Sequence, residues 1–133
     1  MGPQENVEIV RRVYDEYAER GELPMALVAD DFTFDVSDAA PDMAGTHGRD
    51  EAEILFRSYA EMFDDFSIEL KEVIAVDATR VVTAVRDGGR VKGSEAEIHN
   101  EFFHVWTVRD GRIERWTSHA NQSAALKAAG LTE

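Results

Sequence analysis

Residues 104–116 read His104-Val105-Trp106-Thr107-Val108-Arg109-Asp110-Gly111-Arg112-Ile113-Glu114-Arg115-Trp116, two alternating runs joined at Arg109-Asp110-Gly111. Asp-Gly between alternating segments is the strongest short-range signal for a β-hairpin. Side chains alternate faces along a strand, so His104 and Trp106 on one arm share a side with Trp116 and Ser118 on the other. A sheet face bearing an imidazole, a hydroxyl and two indoles is expected to wall a cavity more than to fill plain core.

Upstream the period changes from two to that of a helix. Val10, Val13, Tyr14 and Tyr17 share one face of a helix over residues 5–20, which Gly21 ends. Pro24 suits the first turn of a short second helix reaching Ala29, and Phe32-Thr33-Phe34-Asp35-Val36 alternates as a strand. Residues 37–44 read as a loop and 45–48 as a short strand and turn. Asp50, Glu51 and Glu53 favour the positive end of a third helix over 49–63, with Leu55, Phe56, Tyr59, Met62 and Phe63 on its apolar face. Four long strands follow, over 66–77, 80–92, 96–109 and 112–119, with Gly88-Gly89 interrupting the second. Asn121 caps a last helix, Gln122 to Ala129, closed by Gly130. Helices first and a meander afterwards predict a single α+β domain over residues 1–133. Three N-terminal helices pack on a curved antiparallel sheet, and a short C-terminal helix completes the chain.

The 133 residues include 27 acidic and 14 basic side chains, a net charge of −13, and no cysteine. A field of that sign repels phosphate backbones, so nucleic acid is excluded as a partner. Without cysteine there are no disulfides and no thiolate chemistry. No apolar run is long enough to cross a bilayer and the N-terminus lacks a signal peptide, so a soluble cytoplasmic protein with no membrane partner is expected.

The element order resembles the NTF2-like cone fold, and specifically its SnoaL-like branch. The markers are Gly21-Glu22-Leu23, Ala29-Asp30-Asp31-Phe32, Gly45-Thr46-His47-Gly48-Arg49-Asp50, the hairpin and Ala128-Ala129-Gly130-Leu131. They are specific for the fold and poor guides to activity, since relatives include isomerases, cyclases, epoxide hydrolases and non-enzymatic proteins. The comparison with ketosteroid isomerase implies that Tyr14 stands at that family's tyrosine, Val36 at its catalytic base and His104 at its second aspartate. One of three roles is retained, one exchanged and the base is missing, which argues against steroid isomerisation by that mechanism. Thr117-Ser118-His119 carries no carboxylate where the SnoaL-type cyclases have an acid. No aspartate–arginine–aspartate set of the limonene epoxide hydrolase kind can be placed.

The resemblance makes His104 and Tyr14 the candidate catalytic pair, polarising or protonating a substrate oxygen. Asp38, two residues beyond Val36, is the candidate substitute base. Phe34, Phe56, Tyr59, Phe102, Trp106 and Trp116 are expected to line the substrate pocket, together with Tyr17, Val36, Asn100 and Ser118. Four histidines show no ligand-like spacing, so no metal is expected, and no organic cofactor is implied. Phe103 and Val105 fall on the other sheet face, where an exposed apolar patch would mark an interface. Relatives commonly dimerise there, so a homodimer is expected. The expected function is a cofactor-free isomerase, cyclase or dehydratase acting on a small hydrophobic, oxygenated metabolite. The alternatives are a non-catalytic ligand-binding module and a structural dimer.

Overall fold

A computed structural model describes residues 2–36, 38 and 47–131. Helix α1 spans Pro3–Arg20 and ends where Gly21, in the left-handed region at φ 68°, returns its N–H to the Tyr17 carbonyl. A single 3-10 turn, Met25–Leu27, stands where a short helix was expected. Strand β1 is Val28–Asp35, β2 is His47–Gly48 and helix α2 is Arg49–Glu61. The meander consists of β3 (Ser67–Val76), β4 (Arg80–Arg90), β5 (Glu97–Arg109) and β6 (Arg112–His119), and helix α3 covers Gln122–Ala129. The side chain of Asn121 caps α3 by accepting from the Ala124 N–H at 2.8 Å.

The six strands lie in the order β2-β1-β6-β5-β4-β3. The meander pairs are antiparallel, as expected, whereas β1 joins β6 in parallel, so the sheet is mixed. The physical reason is connectivity: α2 and the meander intervene between β1 and β6, so β1 need not turn back on its neighbour. The β5–β6 hairpin turns at Asp110 (φ 52°) and Gly111 (φ 78°), the two positive angles of a type I′ turn.

Gly88-Gly89 does not interrupt β4, because the ladder with β5 continues through Gly88↔His99 and Gly89↔Ile98. Both glycines hold φ angles, 141° and 149°, that side chains disfavour. A Cβ at Gly88 would collide with the Ile98 carbonyl, and one at Gly89 with the Asp65 carbonyl. Glycine here lets the strand run close against two backbones.

The main core lies between the helices and the inner face of the sheet. Val10, Val13, Tyr14 and Tyr17 from α1 meet Phe34, Val81, Val85, Trp106 and Trp116 there. A second, smaller core lies on the outer face, where Ala125 and Ala129 of α3 cover Val82 and Val105. Val105 is consequently only 5 % exposed, and Phe103 is half-buried against the same cluster. The exposed apolar patch on which the homodimer expectation stood is thus covered within the chain. Sequence periodicity cannot tell which face a terminal helix will choose. Among the described residues, no helix is long and apolar enough to cross a membrane.

Candidate functional site

Between α2 and the inner face of the sheet lies a cavity of about 300 Å³. Its walls are largely apolar, with Val36 from the end of β1, Phe56 from α2, Ile68 from β3, Phe102 from β5 and Trp116 from β6. Burying such side chains stabilises the fold by about 1.5–3 kcal/mol each, and a concavity among them favours an apolar guest. Polar side chains break this lining: His104 and Ser118, which are direct cross-strand partners, Asp87 with Tyr59, and Ser58 and Tyr17.

His104 is 4 % exposed. Its Nδ1 lies 2.7 Å from the Tyr14 hydroxyl, and its Nε2 has no protein partner among the described residues. Burial lowers its pKa from about 6.5 to about 3, with a smaller push from His119, so the imidazole is neutral at working pH. The Tyr14 oxygen also meets Thr83 Oγ1 at 2.7 Å and accepts from the Trp106 indole N–H at 2.8 Å. Burial pushes the Tyr14 phenol well above its ordinary range, which keeps it protonated.

Tyr14 and Trp106 therefore stand behind His104 and are not cavity-lining. The tyrosine reaches a guest only through the imidazole.

Asp87 is the functional candidate that sequence reasoning missed. It sits on β4 at the inward parity of Val81, Thr83 and Val85, and is 5 % exposed. Tyr59 donates its hydroxyl to Oδ1 at 2.6 Å, and Asn100 Nδ2 approaches both that oxygen (3.4 Å) and the Tyr59 hydroxyl (3.2 Å). Burial raises the Asp87 pKa, and the two hydrogen bonds pull against that rise without cancelling it. Oδ2 takes no hydrogen bond among the described residues. Parity along β4 could have found this residue, but an acid ahead of Gly-Gly reads first as a turn.

The other expected site residues divide by depth. Tyr17, Val36, Phe56, Tyr59, Phe102, Trp116 and Ser118 line the cavity, joined by Leu55, Ser58, Met62 and Ile68, which were not anticipated. Phe34 lies one layer back, in tilted ring contact with Phe56 and Trp116. Asn100 serves as a support for Tyr59 and Asp87.

Asp38 does not reach the cavity. It is half-exposed, and its Oδ2 meets His119 Nδ1 at 2.7 Å. His119 has outward parity on β6, so the carboxylate is drawn to the opposite face from Trp116 and Ser118. The rest of the loop expected over 37–44 lies outside the described residues. Among the described residues no group of three His, Cys, Asp or Glu side chains is placed to hold a metal ion.

The family model for the SnoaL-like domain matches residues 10–116. No curated protein matches the chain. An NTF2-like protein from Anabaena variabilis ATCC 29413 superposes with a TM-score of 0.71 at 19 % identity, covering 91 % of this chain and 92 % of that one. A candidate SnoaL-like polyketide cyclase from Jannaschia sp. CCS1 gives 0.71 at 19 % identity, over 98 % of this chain and 95 % of that one. An epoxide hydrolase of the LEH-like type from M. tuberculosis gives 0.69 at 18 % identity, over 94 % and 89 %. At these identities the likeness is one of fold.

Proposed function

This chain belongs to the SnoaL-like domain family, and from that premise we propose that it is a cofactor-free enzyme of proton transfer. Its substrate would be a small hydrophobic molecule with a carbonyl or enol oxygen, and its reaction an isomerisation, cyclisation or dehydration. The observation that carries this reading is Asp87, a carboxylate withdrawn from water that lines a largely apolar cavity and has one oxygen without a hydrogen bond among the described residues. Desolvation strengthens a carboxylate as a base and brings its pKa toward working pH, as carbon-acid chemistry needs.

The second pole is His104, where a substrate oxygen would be held. Asp87 pairs with Asn100 and Thr83 with His104 on the same ladder, so the two poles are four strand steps apart. That is roughly 13 Å between backbones along the strand, so a substrate that reaches both poles would be an elongated, fused-ring molecule. In such a pose Asp87 takes a proton from carbon while His104 holds the oxygen on which charge develops. Tyr59 and Asn100 keep the carboxylate aimed. Asp87 takes the place of the base that is absent at Val36.

The test is solvent deuterium exchange at the α-carbon of a panel of fused-ring aromatic ketones, read by proton NMR. Asp87→Asn is expected to lower the protein-dependent rate by about 100-fold or more while binding persists. If no ketone exchanges faster with protein than without it, the ligand-binding module becomes the better reading.

A further inference from the structure

We propose that Tyr14 is a positioning residue that holds His104 in the tautomer with its proton on Nε2, so that the cavity meets an N–H donor. The inference assigns a role within the site proposed above, but its grounds are hydrogen-bond counting in the core behind that site.

The Tyr14 oxygen has three neighbours: Trp106 Nε1 at 2.8 Å, Thr83 Oγ1 at 2.7 Å and His104 Nδ1 at 2.7 Å. An indole N–H can only donate, so Trp106 takes one acceptor position on the phenol oxygen. A phenol has one further acceptor position and one proton to give. Thr83 is fully buried and Tyr14 is its side chain's sole partner among the described residues.

Two arrangements remain. In the first, Thr83 donates to Tyr14 and Tyr14 donates to Nδ1, which must then be bare. Every hydrogen in the knot finds an acceptor. In the second, Nδ1–H donates to Tyr14 and Tyr14 donates to Thr83, whose own hydroxyl hydrogen is then buried with nothing to bond. Buried donors are rarely left unmet in native cores, so the first arrangement holds. Because burial keeps the ring neutral, its single proton sits on Nε2, the nitrogen with no protein partner.

The chemical consequence is a division of labour. A neutral Nε2–H can hydrogen-bond a substrate oxygen and stabilise the charge that develops there, but that nitrogen cannot accept a proton at the outset. Proton abstraction therefore falls to Asp87 alone. The tyrosine that stands at its relatives' catalytic position acts here one layer back, by setting the polarity of the imidazole.

The experiment is a long-range proton–nitrogen correlation spectrum of the ¹⁵N-labelled, ligand-free protein at neutral pH. The His104 ring is assigned from its contacts with the rings of Trp106 and Trp116. The expected result is a protonated Nε2 and a bare, hydrogen-bond-accepting Nδ1. Thr83→Val must leave that pattern unchanged, since Tyr14 still has Nδ1 as its acceptor. In the opposite arrangement, the wild type would carry its proton on Nδ1, and Thr83→Val would drive it to Nε2 by removing the phenol's acceptor. Either of those observations overturns the proposal. In Tyr14→Phe the Nδ1 signal is expected to lose its hydrogen-bonded shift. No substrate is needed, so a protonated Nε2 without ketone exchange would defeat the proposed reaction alone. A proton on Nδ1 with exchange would defeat this inference alone.

Discussion

His104 and His119 lie on adjacent strands, one register step apart, and face opposite sides of the sheet. On the outer side, His119 is held at both nitrogens, by Asp38 through Nδ1 (2.7 Å) and by Thr117 through Nε2 (2.8 Å). On the inner side, His104 is held at one nitrogen, and the other belongs to a residue of the cavity wall. The outer trio has the order acid, imidazole, hydroxyl that suggests chemistry from a list of residues. Its carboxylate is nevertheless 52 % exposed, and none of its members lines the cavity. An imidazole satisfied on both sides fastens a strand to the chain beside it, whereas one with a nitrogen left over on an apolar void can serve a guest. What separates the two is the open valence, not the company of an acid.

The contrast can be broken at several strengths. The severest test is Tyr14→Phe, which strips partners from Thr83, Trp106 and His104 at once. At about 1–3 kcal/mol for each buried group left unpaired, a loss of about 3 kcal/mol or more is expected. Urea denaturation of this variant beside Thr117→Val, expected to lose about 1 kcal/mol, measures how differently the two histidine settings are built. Equal losses would erase the distinction.

Acid stability comes next. The folded pKa of His104, about 3, lies below the unfolded value of about 6.5. The unfolded chain therefore binds the extra proton more readily, and stability is lost as pH falls from about 6.5 toward 3. The limiting slope is about 1.4 kcal/mol per pH unit. Asp87 acts in the opposite sense. Its raised folded pKa favours the native state at acid pH, and that advantage disappears as the pH rises above the carboxylate range. Denaturation midpoints across this window should slope for the wild type and flatten in His104→Phe.

The mildest change is Asp38→Asn. A half-exposed carboxylate–imidazole contact contributes at most about 1 kcal/mol after solvent screening. The dissociation constant for a naphthol probe, read from tryptophan fluorescence, should stay within about twofold of the wild type, since Asp38 lies outside the cavity. A large loss of probe binding would place the outer trio in the working site.

Where the chain speaks locally, its sequence was a good guide. The Asp-Gly hairpin, the four meander strands, the α1 stripe and the Asn121 cap all stand as the spacing implied. The inward parity of His104, Phe102 and Trp116 likewise put a wall where a wall exists. What stayed hidden depends on contacts distant in sequence. Parity alone does not say that Asp38 will be captured by His119, 81 residues away. Nor does it say that α3 will cover Val105, or that Trp106 and Tyr14 will sit behind an imidazole instead of beside a guest. Asp87 was legible in principle from Val81, Thr83 and Val85, but its meaning depends on the removal of water by α2, which no strand pattern records.

The parallel seam between β1 and β6 has a consequence for the order of assembly. Thr33 and Arg115, side by side across it, are 82 residues apart in the chain, while each meander pair needs only a short loop. Closing so large a loop carries an entropic penalty that the hairpins do not face, and such contacts slow the search for the native state. Val36 extends from the end of β1 and Trp116 lies on β6, so two walls of the cavity meet only when the seam zips. A population stalled before that event would show a formed meander and no ability to take up a ligand. Stopped-flow refolding followed by probe uptake should accordingly show strand formation leading and binding competence lagging, with the interval between them set by the speed of one strand pairing.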